Sequence, residues 1–337
     1  MPRPRFTAAA LVAAVAGFLA SAAPVRAELP APPAGSEFQF FVENDMLAST
    51  DRYYTNGLKL GIGAPFDLLQ APAAELLRQF SPRDPSGAHL GLFLGHNLYT
   101  PRNIKLSAAQ PADRPWAAWL YLGGVAQRAR GNRLDTVEID VGVVGPAALG
   151  EEVQSHWHRF VGSPQPRGWD HQIPNEPGFL ASYLQKRRYG DDRFGFVAHG
   201  GLTAGTVMTL GRAGGLVRYG RNMSGFGPDT IEPGGAMLHG TRASGDDGAR
   251  RGTEWYVFAG ADQRLVAHNI FLDGTVFRNS PAVERRPHVW DLSAGFSFRH
   301  DGVRFSWTRV HRSEEFYTAA GGGGRQRFDS LNLGIEF

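Results

Sequence analysis

Two stretches of this chain bring together side chains that could do hydrolytic chemistry. The first is Phe40-Phe41-Val42-Glu43-Asn44-Asp45, followed shortly by Thr50-Asp51-Arg52-Tyr53-Tyr54-Thr55-Asn56-Gly57. A strand that ends in amide and carboxylate groups can bind a hard cation such as calcium through oxygen. The same Asn, Asp, Thr and Gly residues also make ordinary hairpin turns. The second stretch carries Glu151, Gln154 and His158, whose spacing of three and four places them on one face of a helix. Side chains on such a face can converge on one point, and a solvated polar face would show the same residues.

The elements that must position these groups follow from pattern. Ala147 to Val161 reads as a helix: Gly145-Pro146 precedes it, Glu151 and Glu152 come early, and Arg159 lies near the end before Gly162. Around it the chain reads as strands. Trp290, Leu292, Ala294, Phe296 and Phe298 alternate with polar or small residues. The turn His300-Asp301-Gly302 then leads to Val303, Phe305 and Trp307 in the same alternation, a hairpin with one apolar and one polar face. Trp255, Val257, Ala259 and Ala261 repeat the pattern, as do Leu58, Leu60 and Ile62 against Lys59, Gly61 and Gly63. The closing run Leu331-Asn332-Leu333-Gly334-Ile335-Glu336-Phe337 is one more half-buried strand, ending in an aromatic.

A soluble β-sandwich would alternate in the same way. Aromatic weight on the apolar face, glycines opposite it and an export signal favour a membrane barrel instead. Met1 to Ala27 reads as that signal: Arg3 and Arg5 precede the apolar run Ala8 to Ala20, and Val25-Arg26-Ala27 fits a cleavage site. The expected organisation is therefore a signal peptide over 1–27 and one barrel domain over 28–337. No later stretch is apolar for long enough to form a spanning helix. The chain has 43 Gly, 22 Phe and no Cys, which removes disulfides, thiol nucleophiles and thiolate metal sites. Its net charge of +3 includes the arginines of the signal and makes no case for a nucleic-acid partner.

In order and spacing, four blocks resemble the lipid A 3′-O-deacylase (LpxR) family of outer-membrane proteins. They are Glu43-Asn44-Asp45 with Thr50 to Gly57; Leu98-Tyr99-Thr100-Pro101 with Asp113-Arg114-Pro115-Trp116-Ala117; Gly142-Val143-Val144-Gly145-Pro146; and Gly150-Glu151-Glu152-Val153-Gln154 with His158, Gly168-Trp169-Asp170 and Gln172. The resemblance implies an all-β fold, a transmembrane antiparallel β-barrel of about twelve strands with a short helix in an extracellular loop. It implies a bacterial outer-membrane location, with outer-membrane lipid around the wall and the barrel-assembly machinery reading Phe337. The implied activity is hydrolysis of the 3′-linked acyloxyacyl ester of lipid A in lipopolysaccharide, in a site between the barrel wall and the helix.

The family chemistry resembles that of calcium-dependent secreted phospholipase A2. Carried onto matching positions, His158 activates water, with Gln154, Asn44 and Thr55 as the other catalytic candidates. Asp45 is the candidate ligand of a Ca2+ cofactor. Imidazole suits the role of base because its unperturbed pKa lies near neutrality. A divalent cation can stabilise the oxyanion as a Lewis acid. The family carries an acidic residue six positions after the histidine; this chain has Pro164 there, with Asp170 and Glu176 as acidic residues nearby. Arg102, Lys105 and Arg114 are basic residues that could meet lipid A phosphates. Strict alternation would put Asn44 and Asp45 on opposite faces unless both lie at the strand end or a bulge intervenes. Two other functions fit the pattern: an outer-membrane phospholipase A using a serine such as Ser155, and a non-enzymatic porin or structural barrel.

Overall fold

The computed structural model describes residues 36–46, 51–64, 72–73, 75–76, 79, 89–223, 225–228, 230, 252–318 and 324–337. The signal segment expected at 1–27 lies outside the described residues. Twelve strands alternate up and down around a closed antiparallel barrel. They are β1 (Glu37–Asn44), β2 (Tyr53–Ala64), β3 (His89–Thr100), β4 (Ala117–Arg130), β5 (Arg133–Val144), β6 (Glu176–Gly190), β7 (Phe194–Gly205), β8 (Met208–Arg221), β9 (Glu254–Asn269), β10 (His288–His300), β11 (Val303–Arg312) and β12 (Gln326–Glu336). β1 pairs with both β2 and β12, from Glu37↔Glu336 to Asn44↔Asp329, so no edge strand is left. With an even strand count, β1 starts and β12 ends at the same end of the barrel. The opposite end is termed the mouth.

Alternation decides the two faces, and their polarity is the reverse of a soluble sandwich. Leu122, Leu202, Leu265 and Leu292 on the outer face are each more than half exposed, Leu202 at 69%. Leu58, Leu60 and Ile62 share that face on β2, while their neighbour Lys59 is buried in the lumen and pairs with Glu138 at 2.8 Å. Apolar residues face outward because lipid, not water, is their solvent; charged residues face inward and find partners there. No described helix is long and apolar enough to cross a membrane, and the strands make the crossing instead.

The lumen is packed. Toward the mouth, Phe41, Tyr54, Tyr99, Trp119, Phe271 and Phe328 form one buried cluster. Phe271, on the short helix Ile270–Asp273, stacks on Tyr99 at 4.0 Å between ring centroids. A chain of ion pairs continues across the lumen: Arg212 to Asp262, Arg264 to Asp262 and Asp291, and Arg312 to Asp291. Gly95 and Gly123 lie where the rings of Tyr121 and Phe93 come down onto the wall, so a side chain at either would strike a ring. This packing fills the space that a porin would leave as a channel.

The segment between β5 and β6 leaves the mouth and folds down against the outside of the barrel. A 3-10 turn, Pro146–Ala148, leads through Leu149 into helix α1 (Gly150–Val161), which ends at Gly162 in the left-handed conformation. The helix expected from sequence is present, split by the left-handed Leu149. Outer-face residues Leu98 and Ala118 pack with Ile104, Trp116, Ala148 and Trp169 into a small core of their own. His96, on the same outer row of β3, holds the Ala148 carbonyl at 2.7 Å.

Candidate active site

The wall side of the site is built at the ends of β1 and β2. Along β1 the outer row is Phe38, Phe40, Val42 and Asn44; the last is buried where the others are only partly so. Asn44 ends the strand and its Oδ1 accepts from the Met46 N–H at 2.7 Å, leaving its amide NH2 as a donor. Asp45 lies just past the strand end, so alternation no longer forces it away from the outer face. Its N–H reaches the Thr55 carbonyl at 3.4 Å, and its Oδ2 accepts from the Arg52 N–H at 2.8 Å, closing the loop on itself. The bulge falls on β2: pairing to β3 slips between Tyr54 and Asn56, at Thr55. Thr55 Oγ1 bonds Thr100 Oγ1 at 2.7 Å.

The other side is α1. Gly150 brings the start of this helix against the wall: a Cβ there would lie 2.5 Å from the Trp169 ring and 2.6 Å from Ala118 Cβ. Gln154 and His158, one turn apart, are the buried residues further along α1, and Glu151 is exposed. Trp157 reaches the β1–β2 loop, with its indole N–H 3.4 Å from Met46 Sδ.

Between the two sides, contacts converge on Asp51. Gln154 Oε1 accepts from the Trp169 indole at 2.8 Å, which turns its amide nitrogen toward Asp51 Oδ1 at 3.4 Å. His158 Nδ1 lies 2.5 Å from the Pro164 carbonyl, and its Nε2 lies 3.5 Å from Asp51 Oδ2. A carbonyl can only accept, so Nδ1 carries the hydrogen and the neutral ring presents its lone pair at Nε2. Burial raises the Asp51 carboxyl above the ordinary carboxylate range, against the pull of His158 and the Gln154 hydrogen bond. Both segments that carry these groups border a non-glycine residue at positive φ: Tyr53 at 69° follows the Asp51 loop, and Leu149 at 60° precedes α1. Such conformations cost about 1–3 kcal/mol each and persist where surrounding packing imposes them.

The donors match a hard divalent cation in kind: the loop offers the carboxylates of Asp45 and Asp51, while its one sulfur, Met46 Sδ, is taken by the Trp157 indole. Among the described residues no three His, Cys, Asp or Glu side chains cluster as a metal site. Backbone, amide or water oxygens would have to complete the shell of a cation here.

The model of the family described as outer membrane protein LpxR matches residues 6–337. The chain belongs to this family. Among solved structures, it is similar to LpxR from Salmonella typhimurium, with a TM-score of 0.70 and 22% identity over 89% of this chain and 100% of that one. The β-domain of the Bordetella autotransporter BrkA aligns with a TM-score of 0.44 and 13% identity over 90% of this chain and 99% of that one. No curated protein matches. Membership in an outer-membrane family and the inverted polarity of the wall agree on location: this is an outer-membrane barrel.

Within this LpxR-family barrel, Asn44, Thr55, Gln154 and His158 are all buried, the first two at the mouth ends of β1 and β2 and the last two on α1. Asp45 closes the neighbouring loop, and the carboxylate that faces His158 is Asp51. The sequence pattern gives Asp51 no role, because only the fold of the β5–β6 segment back across β4 and β3 brings the helix to that loop. The proline at the family's acidic position contributes its backbone carbonyl. Neither nearby acid replaces the missing carboxylate: Asp170 is exposed, and Glu176 accepts the Val276 and Phe277 N–H groups at 2.9 and 3.0 Å. Arg102 and Lys105 are exposed, but Arg114 is fully buried, 2.8 Å from Glu315 and over the Tyr99 ring, away from any lipid phosphate. The serine alternative gains no support: His156 is exposed, with Nδ1 2.6 Å from the Glu152 carbonyl of its own helix.

Proposed function

We propose that this chain is a lipid A 3′-O-deacylase that uses His158 as the general base. The observation that carries the reading is the placement of His158: its Nδ1 is fixed on Pro164, and its Nε2 faces Asp51 of the β1–β2 loop, outside the barrel lumen. A lipid in the surrounding leaflet can approach this side of the wall laterally, without entering the packed lumen. Leu149, Val153 and Phe160 are exposed apolar residues of the same segment, suited to contact acyl chains. The start of β1 and the end of β12 share one end of the barrel, which for an exported chain is the periplasmic end, so the mouth and α1 face the lipopolysaccharide leaflet.

In the proposed reaction, His158 Nε2 takes a proton from water as the water oxygen attacks the ester carbonyl. The tetrahedral intermediate then collapses, the bond to the sugar oxygen breaks, and that oxygen takes the proton back from the imidazolium. The products are a sugar hydroxyl and a free acyloxyacyl acid. Gln154, held by Trp169, positions Asp51 beside the ring. The Asn44 amide and the Thr55 hydroxyl are donors on the wall side that can orient the ester. Asp51 and Asp45 are the residues we propose would hold calcium. When bound, calcium would supply positive charge where the carbonyl oxygen becomes anionic. The exposed Phe337, tied to the wall by its N–H bond to the Ser36 carbonyl at 2.9 Å, is the proposed handle for the assembly machinery.

Purified barrel in detergent micelles tests this. Release of the acyloxyacyl acid should require calcium, stop on chelation and disappear in His158→Ala, while serine-directed reagents leave it intact. Inhibition by those reagents, or release by folded His158→Ala, would remove His158 as the base.

A further inference from the structure

The outer wall on the side of the site away from α1 carries a basic surface that the hydrolytic reading does not use. β11 and β12 bring Arg309 opposite Asp329 and His311 opposite Arg327. Arg309 is already occupied, donating from Nε at 3.0 Å and from a terminal nitrogen at 2.9 Å to the two Asp329 oxygens. Asp329 is further held by the Trp307 indole at 2.9 Å. Arg325 and Arg327 differ from it: both are exposed, and neither forms an ion pair among the described residues. The flanking segments 319–323 and 47–50 contain no charged residue. Both guanidinium groups lie within electrostatic reach of His311, whose buried Nε2 has no hydrogen-bond partner and whose ring stacks on Trp290.

The register ties this surface to the reaction site. Asp329 pairs with Asn44, and Asn44 pairs with Asn56, next to the Thr55 bulge. β1 ends at Asn44, so Arg327, two residues further toward the mouth, borders the β1–β2 loop directly. Arg52 of that loop donates to the Arg325 carbonyl at 3.4 Å, while its neighbour Asp51 faces His158. From β12 to β2 is two strand spacings, about 10 Å. Two exposed arginines this near the His158–Asp51 contact on the outer wall suit a phosphate monoester, which planar guanidinium groups bind through paired hydrogen bonds.

We propose that Arg325 and Arg327, with His311 beside them, form a phosphate subsite that holds the phosphorylated sugar headgroup of the substrate while its ester lies at His158. This rests on the deacylase reading and adds the group by which the substrate is oriented. The test separates the two. Binding is measured on the folded His158→Ala barrel in neutral detergent, with lipid A, 4′-dephosphorylated lipid A, inorganic phosphate as competitor, and phosphatidylglycerol vesicles. Arg325→Ser/Arg327→Ser should weaken lipid A binding by about ten-fold or more, leave the dephosphorylated lipid unchanged, and abolish competition by phosphate. With His158 intact, the same pair should raise KM at unchanged kcat. Equal affinity for the two lipids, or equal loss on phosphatidylglycerol, would overturn the subsite, the latter showing only general contact with anionic lipid. Phosphate-dependent binding by a barrel that cleaves nothing would keep the subsite and refute the deacylase reading.

Discussion

Replacing Gly150 by alanine should push helix α1 off the wall on which it rests. The new Cβ would sit 2.5 Å from the Trp169 ring and 2.6 Å from Ala118 Cβ. Carbon atoms rest about 3.5–4.0 Å apart, so relief requires a displacement of about 1 Å. Neither obstacle is the free end of a flexible side chain. Alanine also favours the helix by about 0.5–1 kcal/mol over glycine, but overpacking costs about 1–3 kcal/mol, so the clash wins. His158 and Pro164 lie on the same segment and can move together. Asp51 lies on the β1–β2 loop, so the 3.5 Å and 3.4 Å approaches of His158 and Gln154 to it open by the displacement. A misplacement of about 1 Å at a reacting centre costs about a hundred-fold in rate. The assay is single-turnover release of acyloxyacyl acid from lipid A in micelles, with heat-modifiable migration confirming an intact barrel. Gly150→Ala should lose about that factor while Glu151→Ala, at an exposed position, loses none. A folded Gly150→Ala barrel with the parent rate would refute the claim that contact at the wall sets the catalytic geometry.

Trp169→Phe removes the 2.8 Å bond that orients Gln154; a loss of about 1 kcal/mol predicts a five- to ten-fold fall in kcat with the fold kept, and an unchanged kcat would take Gln154 out of the positioning role. Burial raises the Asp51 carboxyl, so its ionisation costs the folded state stability, beginning as pH rises through the ordinary Asp value and complete above the raised one. Asp51→Asn should therefore be slower in catalysis yet more resistant to thermal unfolding at neutral pH without calcium, and calcium should stabilise the parent more than the variant; equal melting of both at all pH values would contradict this. Lys59→Met takes the cation from a buried pair made at 2.8 Å to Glu138. It should cost about 3–5 kcal/mol in urea unfolding while the folded fraction deacylates normally, because that pair lies in the lumen and the site on the outside.

The barrel was legible because its alternation is regular. Leu58, Leu60, Ile62 and the Leu331-to-Phe337 run have the strand period, and aromatic weight with facing glycines told a lipid-facing wall from a sandwich core. The helix was legible from Pro146, the early glutamates and Gly162, and its three-and-four spacing correctly paired Gln154 with His158. Glu151 shares that spacing but is exposed, since spacing fixes only the residues' relative angle and tertiary packing decides which edge of the face is covered. The Pro164 carbonyl left no trace in the sequence, because a main-chain acceptor carries no side-chain signature. The burial of Arg114 was equally hidden: a loop arginine reads the same whether it turns into the lumen or out to lipid, and the Glu315 that holds it lies 201 residues away.

The most direct test is mass spectrometry of lipid A from cells carrying the parent chain or His158→Ala, each confirmed as a folded barrel in the outer membrane. The parent should produce lipid A lighter by its 3′-linked acyloxyacyl group, and His158→Ala should leave lipid A intact. Unaltered lipid A with the folded parent chain, or the same mass loss with His158→Ala, would contradict the assignment of the His158 site as a deacylase site.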